Sequence, residues 1–514
     1  MATKRSILLL LLIVLVAPAF ANYYSSAKMR VRAEWPASAG DGCGLSGLDL
    51  TGAGQLITTC DSGIDTANME TMTSDIATNL VGFAFTYGES YVARADINGH
   101  GTHTAGSIVG TGANSGGQFK GMAYKAKLWA WMGGDKNGGG GSYVPYTVDE
   151  AFRPEYQASY KNCGMVSHIY SASYGSDGDE YRGRYMTETK NIDEYCWNHP
   201  DFLPVWAAAN SGSKGASSIS GQGTAKNALV VGASGNYYGW PEASDENQVA
   251  AFSSRGPTKD GRFKPDVVSP GCNVISVRSS QAKDTSRMIV YDQYYAYMSG
   301  TSQATPLTAG MCALIREWLI KYRGFDEKNK KPSSALIKAI VMGGAVDIGE
   351  DRNAQGAGRT DLAASIAPEV GRDIFIADWI PLHDGEKVTY YLETTETAPF
   401  VAELVWVDYP GDATAAQDSP KLVNDLDLRV EAASGGGVWL GNGGTTPDRL
   451  NNTEKVHNEA LPKGRYRIVV EGNNIPRAYK GAGSAGAVAL YLRGAFDADK
   501  VRTQEKLPPQ VYFR

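Results

Sequence analysis

The stretch MSGTSQATP, residues 298–306, joins a glycine turn to a long apolar segment and carries Ser302 at the junction. Gly300 permits a backbone conformation closed to bulkier residues, and Pro306 suits the first turn of a helix, where its missing N–H is no loss. Residues 307–320 are mostly Ala, Leu, Met, Ile, Cys and Trp. This composition predicts a helix that starts near Ser302 and is buried on nearly all sides.

A serine in the first turn of a helix has two interpretations. Its hydroxyl can cap the helix by accepting a main-chain hydrogen bond. Alternatively, the helix N–H groups and the positive end of the helix dipole can assist a nucleophile that sheds a proton, and an oxyanion beside it. The stretch by itself leaves both interpretations open.

Length and composition describe an ordinary globular protein. The 514 residues suffice for two or three domains, and 42% apolar with 20% charged residues permit a large core. The net charge of −6 is too mild to indicate nucleic acid or an anionic membrane surface as a partner. The six cysteines are too few for a disulfide scaffold, and none form the C-x-x-C pairs of a zinc site.

The N-terminus has the three parts of a secretory signal peptide: Lys4 and Arg5, an apolar run over residues 7–16, and the tripeptide AFA ending at residue 21. The run is short for a bilayer span, and an uncleaved anchor is the alternative. We expect a signal peptide over 1–21, no membrane association of the mature form, and a secreted, extracellular or periplasmic location.

Strand-like and helical segments alternate up to about residue 370, which predicts a parallel sheet with helices on both faces. Strands are expected at 55–60, 127–131, 165–171, 203–209 and 229–232, and helices at 146–161 and 184–198. Asp61 directly follows the first strand, where α/β sheets place functional groups. The glycine run 138–141 lacks the Gly-Lys-Ser/Thr of a phosphate loop but suits the close approach of an extended peptide backbone.

Two of the six histidines lie three positions apart in residues 96–109, DINGHGTHTAGSIV. No carboxylate or third histidine follows at metal-ligand spacing, and the small residues around them favour close packing. The pattern favours one catalytic and one structural imidazole.

After about residue 375, apolar and polar residues alternate, as in 401–407, 426–430 and 466–470. The alternation predicts strands of an antiparallel sandwich or barrel. The predicted domains are therefore 22–375 and 376–498, followed by a tail over 499–514. The second domain carries no new set of His, Cys and Ser, so we expect it to be accessory.

Asp61, His100 and Ser302 together offer an orienting carboxylate, a base and a nucleophile, in the chain order that subtilisin has. The chain resembles the subtilisin-like serine proteases in DSGIDT at Asp61, NGHGTHTAGS around His100, FSSRGPTKDGRFKPDVVSPG from Phe252, and SGTSQATPLTAG around Ser302. LVNDLDL at Leu422 and the strands after it resemble the jelly-roll domain of one branch of large extracellular subtilases.

The resemblance implies an α/β subtilisin-like sheet followed by an antiparallel β-sandwich, and a secreted endopeptidase that forms an acyl-enzyme at Ser302. His100 is then the base, Asp61 orients it, and His103 is structural. Asn210 and the Ser302 N–H form the oxyanion hole. The residues that the resemblance assigns to substrate binding are Ser173, Tyr174, Gly175, Gly139, Gly140, Ala208 and Ala209.

The chain departs from the family pattern at several points. Ala209 stands where the family usually has Gly, and its methyl is expected to narrow the primary pocket. Gln303 replaces a frequent Met. Only about 40 residues separate the predicted signal peptide from Asp61, too few for the family's inhibitory propeptide, so we expect either that the sequence is incomplete or that folding proceeds without that propeptide.

We expect protein or peptide substrates, a monomer and no organic cofactor. The family often uses structural calcium, but no metal residues are assigned, because the candidate carboxylates show no ordered ligand spacing: Asp65, Asp408, Asp425, Asp427 and Asp448. Cys163 and Cys196 each precede a strand, and these strands are expected to be neighbours, so a disulfide between them is predicted.

Two alternative functions stay open. A pseudoprotease acting as a binding module predicts a broken triad, whereas all four chemical positions are filled. A ligase or macrocyclase keeps the nucleophile but transfers the acyl group to an amine. Nothing in the sequence excludes water, so hydrolysis is preferred, and weighing the products formed from a peptide separates the two.

Overall fold

The computed structural model describes residues 25–26, 28–29, 48–85, 95–134, 164–236, 245–283, 285–367, 370–481 and 484–503. The predicted signal peptide, the helix at 146–161, Gly139, Gly140 and Cys163 lie outside the described residues. The disulfide between Cys163 and Cys196 therefore stays a prediction.

A seven-stranded parallel sheet forms the centre of the N-terminal part. Its strands are β1 (Leu56–Asp61), β2 (Leu80–Phe85), β3 (Lys127–Met132), β4 (Ile169–Ala172), β5 (Leu203–Ala207), β6 (Leu229–Ser234) and β7 (Val267–Pro270). Their spatial order is β2-β3-β1-β4-β5-β6-β7, and every neighbouring pair is parallel. Cys60 lies opposite Ala172. The residues that follow β1 and β4 therefore meet at one edge of the sheet.

The helices of this part are α1 (Ser74–Ala77), α2 (His100–Val109), α3 (Thr187–Asn198), α4 (Thr301–Tyr322), α5 (Ser334–Gly344), α6 (Arg352–Gln355) and α7 (Leu362–Ile366). As expected from its composition, α4 is buried over residues 301–319 except at Ser302. It packs against α2 and against β4, β5, β6 and β7. The predicted α/β fold with a parallel sheet is confirmed, and in the described ranges no helix has the length and apolar character needed to cross a bilayer.

Two predicted boundaries are wrong by several residues. The strand expected at 165–171 is observed only as β4, and the helix expected from 184 begins at Thr187. Residues 181–184 instead form a turn, closed by a hydrogen bond of 3.1 Å from the N–H of Arg184 to the carbonyl of Tyr181. Local hydrophobicity does not reveal such a turn.

A small antiparallel sheet precedes α4. It consists of β8 (Val274–Val277), β9 (Ile289–Val290) and β10 (Tyr295–Met298), in the order β8-β10-β9. β10 ends three residues before Thr301, so this sheet feeds directly into the turn that carries Ser302.

The C-terminal part contains two antiparallel sheets. One has the order β11 (Asp373–Ala377), β18 (Val488–Gly494), β13 (Ala398–Trp406) and β16 (Thr453–Leu461); the other has β15 (Val438–Leu440), β14 (Asp425–Ala432), β17 (Arg465–Asn474), β12 (Lys387–Glu393) and β19 (Arg502–Thr503). Leu404 on β13 and Ile468 on β17 belong to one shared apolar core. The alternation thus correctly predicted antiparallel strands with one buried face.

The two parts of the chain pack against each other. The hydroxyl of Tyr491 on β18 donates to the carbonyls of Ala364 and Ser365 in α7, at 3.2 and 3.1 Å. Lys226, just before β6, forms an ion pair with Asp408, just after β13, and both side chains are fully buried.

Candidate active site

Asp61 is the last residue of β1 and is almost completely buried. Its Oδ1 accepts the N–H of Ser62 at 2.7 Å and lies 2.7 Å from Nδ1 of His100, while its Oδ2 accepts the hydroxyl of Thr104 at 3.2 Å. Because an ionised carboxylate can only accept, Nδ1 of His100 carries the proton. In the neutral ring Nε2 is then free to act as a base.

His100 is the first residue of α2, and its ring is partly exposed. Burial lowers the pKa of His100, but the negative charge and hydrogen bond of Asp61 raise it, and the net pKa lies above its usual value. Asp61 thus stabilises the imidazolium. A ring in this setting can accept a proton and later return it.

A second buried carboxylate, Asp96, holds the start of α2 against the end of β1. Its Oδ1 accepts the N–H of Gly99 at 2.9 Å and the hydroxyl of Ser62 at 2.8 Å, and its Oδ2 accepts the N–H of Thr102 at 2.8 Å. This role was missed from the sequence. The N-cap position itself is Gly99 and Asp96 stands four positions before His100, so the usual sequence signal for a helix start does not identify it.

His103 lies one turn further along α2 and is fully buried. Its Nε2 donates to the carbonyls of Val274 on β8 and Ala296 on β10, at 3.0 and 3.1 Å. Burial lowers the pKa of His103 to about 3, so the ring is neutral near pH 7. Its contacts tie α2 to the small sheet, which agrees with a structural role.

Ser302 is the second residue of α4 and exchanges two hydrogen bonds with Ser173. The Ser302 hydroxyl donates to the Ser173 carbonyl at 3.1 Å, and the Ser173 hydroxyl donates to the Ser302 carbonyl at 2.9 Å. Because Ser173 follows β4, these bonds bring Ser302 to the sheet edge at which Asp61 holds His100. In the described part of the chain the Ser302 hydroxyl donates to Ser173, and His100 bonds to Asp61 through Nδ1.

Pro306 explains why the Ser302 carbonyl is bonded to Ser173. In an uninterrupted helix residue 306 donates its N–H to the carbonyl of residue 302, but proline has no N–H. The Ser173 hydroxyl takes that place. Pro306 is the sixth residue of α4, which corrects the expectation that it lies in the first turn.

Asn210 lies just beyond β5 and is exposed. Its Oδ1 accepts the N–H and the hydroxyl of Thr301, at 2.8 and 3.0 Å. With the oxygen occupied, the amide nitrogen is the group left to donate to a ligand oxygen. The preceding residue, Ala209, has a φ of 92°, in the left-handed region that favours glycine.

The predicted substrate-binding residues Ser173, Tyr174 and Gly175 continue directly from β4. The indole N–H of Trp206 donates to the Tyr174 carbonyl at 2.7 Å, which holds this segment against β5. Gly175 is exposed and has no room for a side chain, because a Cβ there would lie 2.8 Å from the hydroxyl oxygen of Ser220.

The other predicted wall residues differ in exposure. Ala208 is fully buried, its N–H donates to Val231 at 2.9 Å, and its carbonyl accepts the N–H of Ser220 at 3.0 Å. Ala209 is partly exposed. Of the two, Ala209 is thus the residue whose methyl can touch a ligand.

Gln303 fills the space behind the candidate nucleophile and is 1% exposed. Its Oε1 lies 2.8 Å from where a Cβ on Gly300 would be. Its Nε2 is buried without a hydrogen-bond partner among the described residues. The side chain therefore matches a methionine in bulk but leaves its amide donor unsatisfied.

Carboxylates that were considered as calcium ligands form hydrogen bonds or ion pairs with other groups of the protein. Asp65 accepts the N–H groups of Thr73 and Ser280, at 2.7 and 2.8 Å, and Asp408 pairs with Lys226. Within the described ranges no three or more His, Cys, Asp or Glu side chains converge as metal ligands do. No metal ligands are therefore assigned among the described residues, and structural calcium stays an expectation.

Comparison with known proteins identifies the same region. The profile of the subtilase family matches residues 52–358. Serine protease AprX of Bacillus subtilis (strain 168) is 32% identical over 62% of this chain and 68% of its own length. Subtilisin BL of Lederbergia lenta is 30% identical over 62% of this chain and 92% of its own length.

A longer relative covers more of this chain. Serine protease/ABC transporter B family protein tagD of Dictyostelium discoideum is 26% identical over 84% of this chain but 31% of its own length, so the chain spans about a third of that relative. The family match begins just before β1 and ends just after α6. It includes the whole parallel sheet, with Asp61, His100, Asn210 and Ser302. By its sequence and by the sheet that carries this site, the chain belongs to the subtilase family.

Proposed function

We propose that the protein is a secreted serine endopeptidase that hydrolyses peptide bonds through an acyl-enzyme at Ser302. The observation that carries the proposal is the hydrogen bond of 2.7 Å between Asp61 and His100, at the sheet edge that also receives the start of α4. Membership of the subtilase family and the serine proteases among its relatives support a hydrolase that acts on peptide bonds.

In the first half of the reaction the Ser302 hydroxyl turns from the Ser173 carbonyl to Nε2 of His100. His100 takes the proton while Oγ attacks the carbonyl carbon, and the electron pair of the C=O bond moves to the oxygen. His100 then gives the proton to the leaving amine as the C–N bond breaks. A water molecule repeats the sequence on the acyl-enzyme and releases the acid and the free Ser302 hydroxyl.

The oxyanion is stabilised by the Ser302 N–H at the start of α4 and by the side-chain amide of Asn210. Thr301 holds the Asn210 oxygen and so orients its amide before substrate arrives, while the Ser302 N–H is positioned by the start of α4. Losing the corresponding side-chain donor costs subtilisin about 2.7–4 kcal/mol of transition-state stabilisation. We expect a loss of similar size for Asn210→Ala.

A serine-directed fluorophosphonate tests the proposal, because it reacts only with an activated hydroxyl. Peptide mapping is expected to find the label on Ser302, and His100→Ala is expected to abolish labelling. Ser299→Ala is the matched control, since Ser299 lies three residues away and bonds to Asn273 instead. Labelling of another serine, or unchanged labelling of His100→Ala, contradicts the assignment.

A further inference from the structure

Four large apolar side chains are exposed together on and just after β9. Ile289, Val290, Tyr291 and Tyr294 are 45%, 46%, 42% and 39% exposed. Single exposed apolar residues are ordinary, but four large ones within six consecutive positions, beginning on an edge strand, mark a segment that contacts another molecule. We call these four residues the apolar edge.

The apolar edge is continuous with the candidate active site. β9 pairs with β10, with Ile289 opposite Tyr297 and Val290 opposite Ala296. β10 runs toward Ser302, so Ile289 lies at the end nearer the nucleophile and Tyr294 at the far end. The apolar edge therefore extends away from Ser302.

The residues before Ile289 lie beside His100. A Cβ on Gly99 would be 2.9 Å from Cε of Met288, so Met288 covers the residue that precedes His100. The positive charge of Arg287 acts on the His100 ring and opposes the effect of Asp61. The loop that ends in β9 thus borders the general base.

Aromatic and main-chain contacts hold the apolar edge in place. The ring of Tyr291 packs edge-on against Phe119 and Tyr297, with ring centroids 5.5 and 6.0 Å apart. The N–H groups of Tyr291 and Asp292 both donate to the Tyr295 carbonyl, at 3.1 and 3.2 Å. A surface fixed in this way loses little conformational entropy when it binds.

The position of the apolar edge indicates which part of a substrate it can contact. Ser173 to Gly175, proposed for the acyl half of the substrate, lie beyond β4, whereas β9 and β10 lie on the side of His100, which protonates the leaving amine. In the described part of the chain no strand pairs with the outer side of β9. An open strand edge accepts an extended peptide as an additional strand, and alternate side chains of that peptide then meet the exposed residues.

We propose that the apolar edge binds an apolar, extended segment of the substrate, several residues beyond the scissile bond on the leaving-group side. This inference rests on the proposed endopeptidase function, whose leaving amine departs beside His100. The site makes the enzyme select apolar sequence downstream of the cleaved bond.

Two internally quenched peptides test the proposal. They share the acyl half and the first two residues after the scissile bond, and differ in the next three residues, which are Leu-Val-Phe in one and Ser-Gln-Ser in the other. For the wild-type enzyme kcat/KM is expected to be about tenfold higher for the apolar peptide, mainly through KM, because partly exposed aliphatic surface is buried on binding.

The double variant Ile289→Ser/Val290→Ser is expected to bring this ratio close to one. The ratio cancels any change in the chemical step, which affects both peptides equally. Val438→Ser is the matched control, because Val438 is 60% exposed on β15 of the other domain, and the tenfold ratio is expected to persist.

Hydrolysis of an acyl p-nitroanilide, which has no downstream residues, reports the proposed function separately. If the wild-type protein hydrolyses this compound but has nearly equal kcat/KM for the two peptides, the apolar-edge site is overturned. The site is also overturned if the double variant keeps the tenfold preference for the apolar peptide. Failure of the wild-type protein to hydrolyse any of the three substrates overturns the endopeptidase function, and the site with it.

Discussion

A single hydrogen bond decides which nitrogen of His100 can act as a base. Asp61 holds the proton on Nδ1 and raises the pKa of the ring, against the opposing effect of burial. Asparagine at position 61 retains the shape but adds an N–H donor, which favours the wrong tautomer. We therefore expect the charge of Asp61 to matter as much as its position.

We predict that Asp61→Asn lowers kcat by about 10⁴-fold, the size of loss known for the equivalent change in a Ser-His-Asp triad. The acid limb of kcat/KM reports protonation of His100, and activity is lost as the pH falls through that pKa. Removing the negative charge lowers the pKa, so the limb moves to lower pH in the variant. A limb that stays at the wild-type pH contradicts the role assigned to Asp61.

Ala209 offers a stability test at the same scale. Its φ of 92° destabilises the folded state of an L-residue by about 1–2 kcal/mol. Glycine removes this strain but favours the unfolded chain by about 0.4–1 kcal/mol through its greater conformational entropy. Ala209→Gly is therefore expected to raise the free energy of unfolding by about 0.5–1 kcal/mol. Ala208→Gly, with an ordinary backbone conformation, is the control and is expected to lower it. Urea unfolding measures both, and a loss of stability in both variants contradicts strain at Ala209.

At the scale of the element, the start of α4 depends on a partner outside the helix. Pro306 leaves the Ser302 carbonyl without its helical donor, and the Ser173 hydroxyl supplies the missing bond at 2.9 Å. This places the first turn of α4 against the end of β4. A helix interrupted in this way gains precise placement at the expense of one internal hydrogen bond.

A double-mutant cycle tests this exchange of donors. Ser173→Ala is expected to lower the free energy of unfolding by about 1 kcal/mol, because the partly buried Ser302 carbonyl loses its partner. In the Pro306→Ala background the new N–H of residue 306 can bond to that carbonyl, so Ser173→Ala should cost much less. Equal costs in the two backgrounds show that the Ser173 hydroxyl does not replace a helical bond.

At the scale of the whole molecule, a buried ion pair joins the parallel-sheet part to the β part. The ammonium group of Lys226 donates to the Asp408 carboxylate and to the carbonyls of Tyr409 and Lys421. Asp408 also accepts the N–H groups of Val423 and Asn424. Burial raises the pKa of Asp408, although Lys226 and these N–H groups act in the opposite direction.

Lys226→Met is expected to lower the free energy of unfolding by about 3–5 kcal/mol at neutral pH, because it leaves a buried carboxylate without a cation. The folded-state pKa of Asp408 then rises further above its unfolded value. Protonated Asp408 needs no cation, so the stability that this form contributes is present at low pH and is lost as the pH rises through the folded pKa. The difference in unfolding free energy between the wild type and Lys226→Met should therefore shrink on acidification.

Urea unfolding of the wild type and Lys226→Met at pH 7 and pH 5 measures this deficit. Lys387→Met is the control, since Lys387 pairs with Glu471 at the surface, and its loss should be within about 1 kcal/mol. The stabilising role of the buried Lys226–Asp408 ion pair is contradicted if Lys226→Met loses no more unfolding free energy than Lys387→Met. It is also contradicted if the loss grows on acidification.

The sequence by itself determined the features that depend on neighbouring residues. Alternation of apolar strands and helices predicted the parallel sheet, and period-two alternation predicted the antiparallel strands after residue 375. The apolar composition of residues 307–320 predicted a buried α4 beginning beside Ser302. Motifs around Asp61, His100 and Ser302 identified the candidate site, because each residue stands in a short and distinctive local pattern.

Only the tertiary structure decided which distant groups meet. Ser173 and Ser302 are 129 positions apart, and Lys226 and Asp408 are 182 apart, yet each pair is in hydrogen-bond contact. Sequence patterns report burial and local conformation, whereas such contacts depend on strand order and on how elements pack. The contacts of Asp96 with the start of α2, the Ser173 bond that stands in for the N–H that Pro306 lacks, and the exposure of the apolar edge were settled at that level.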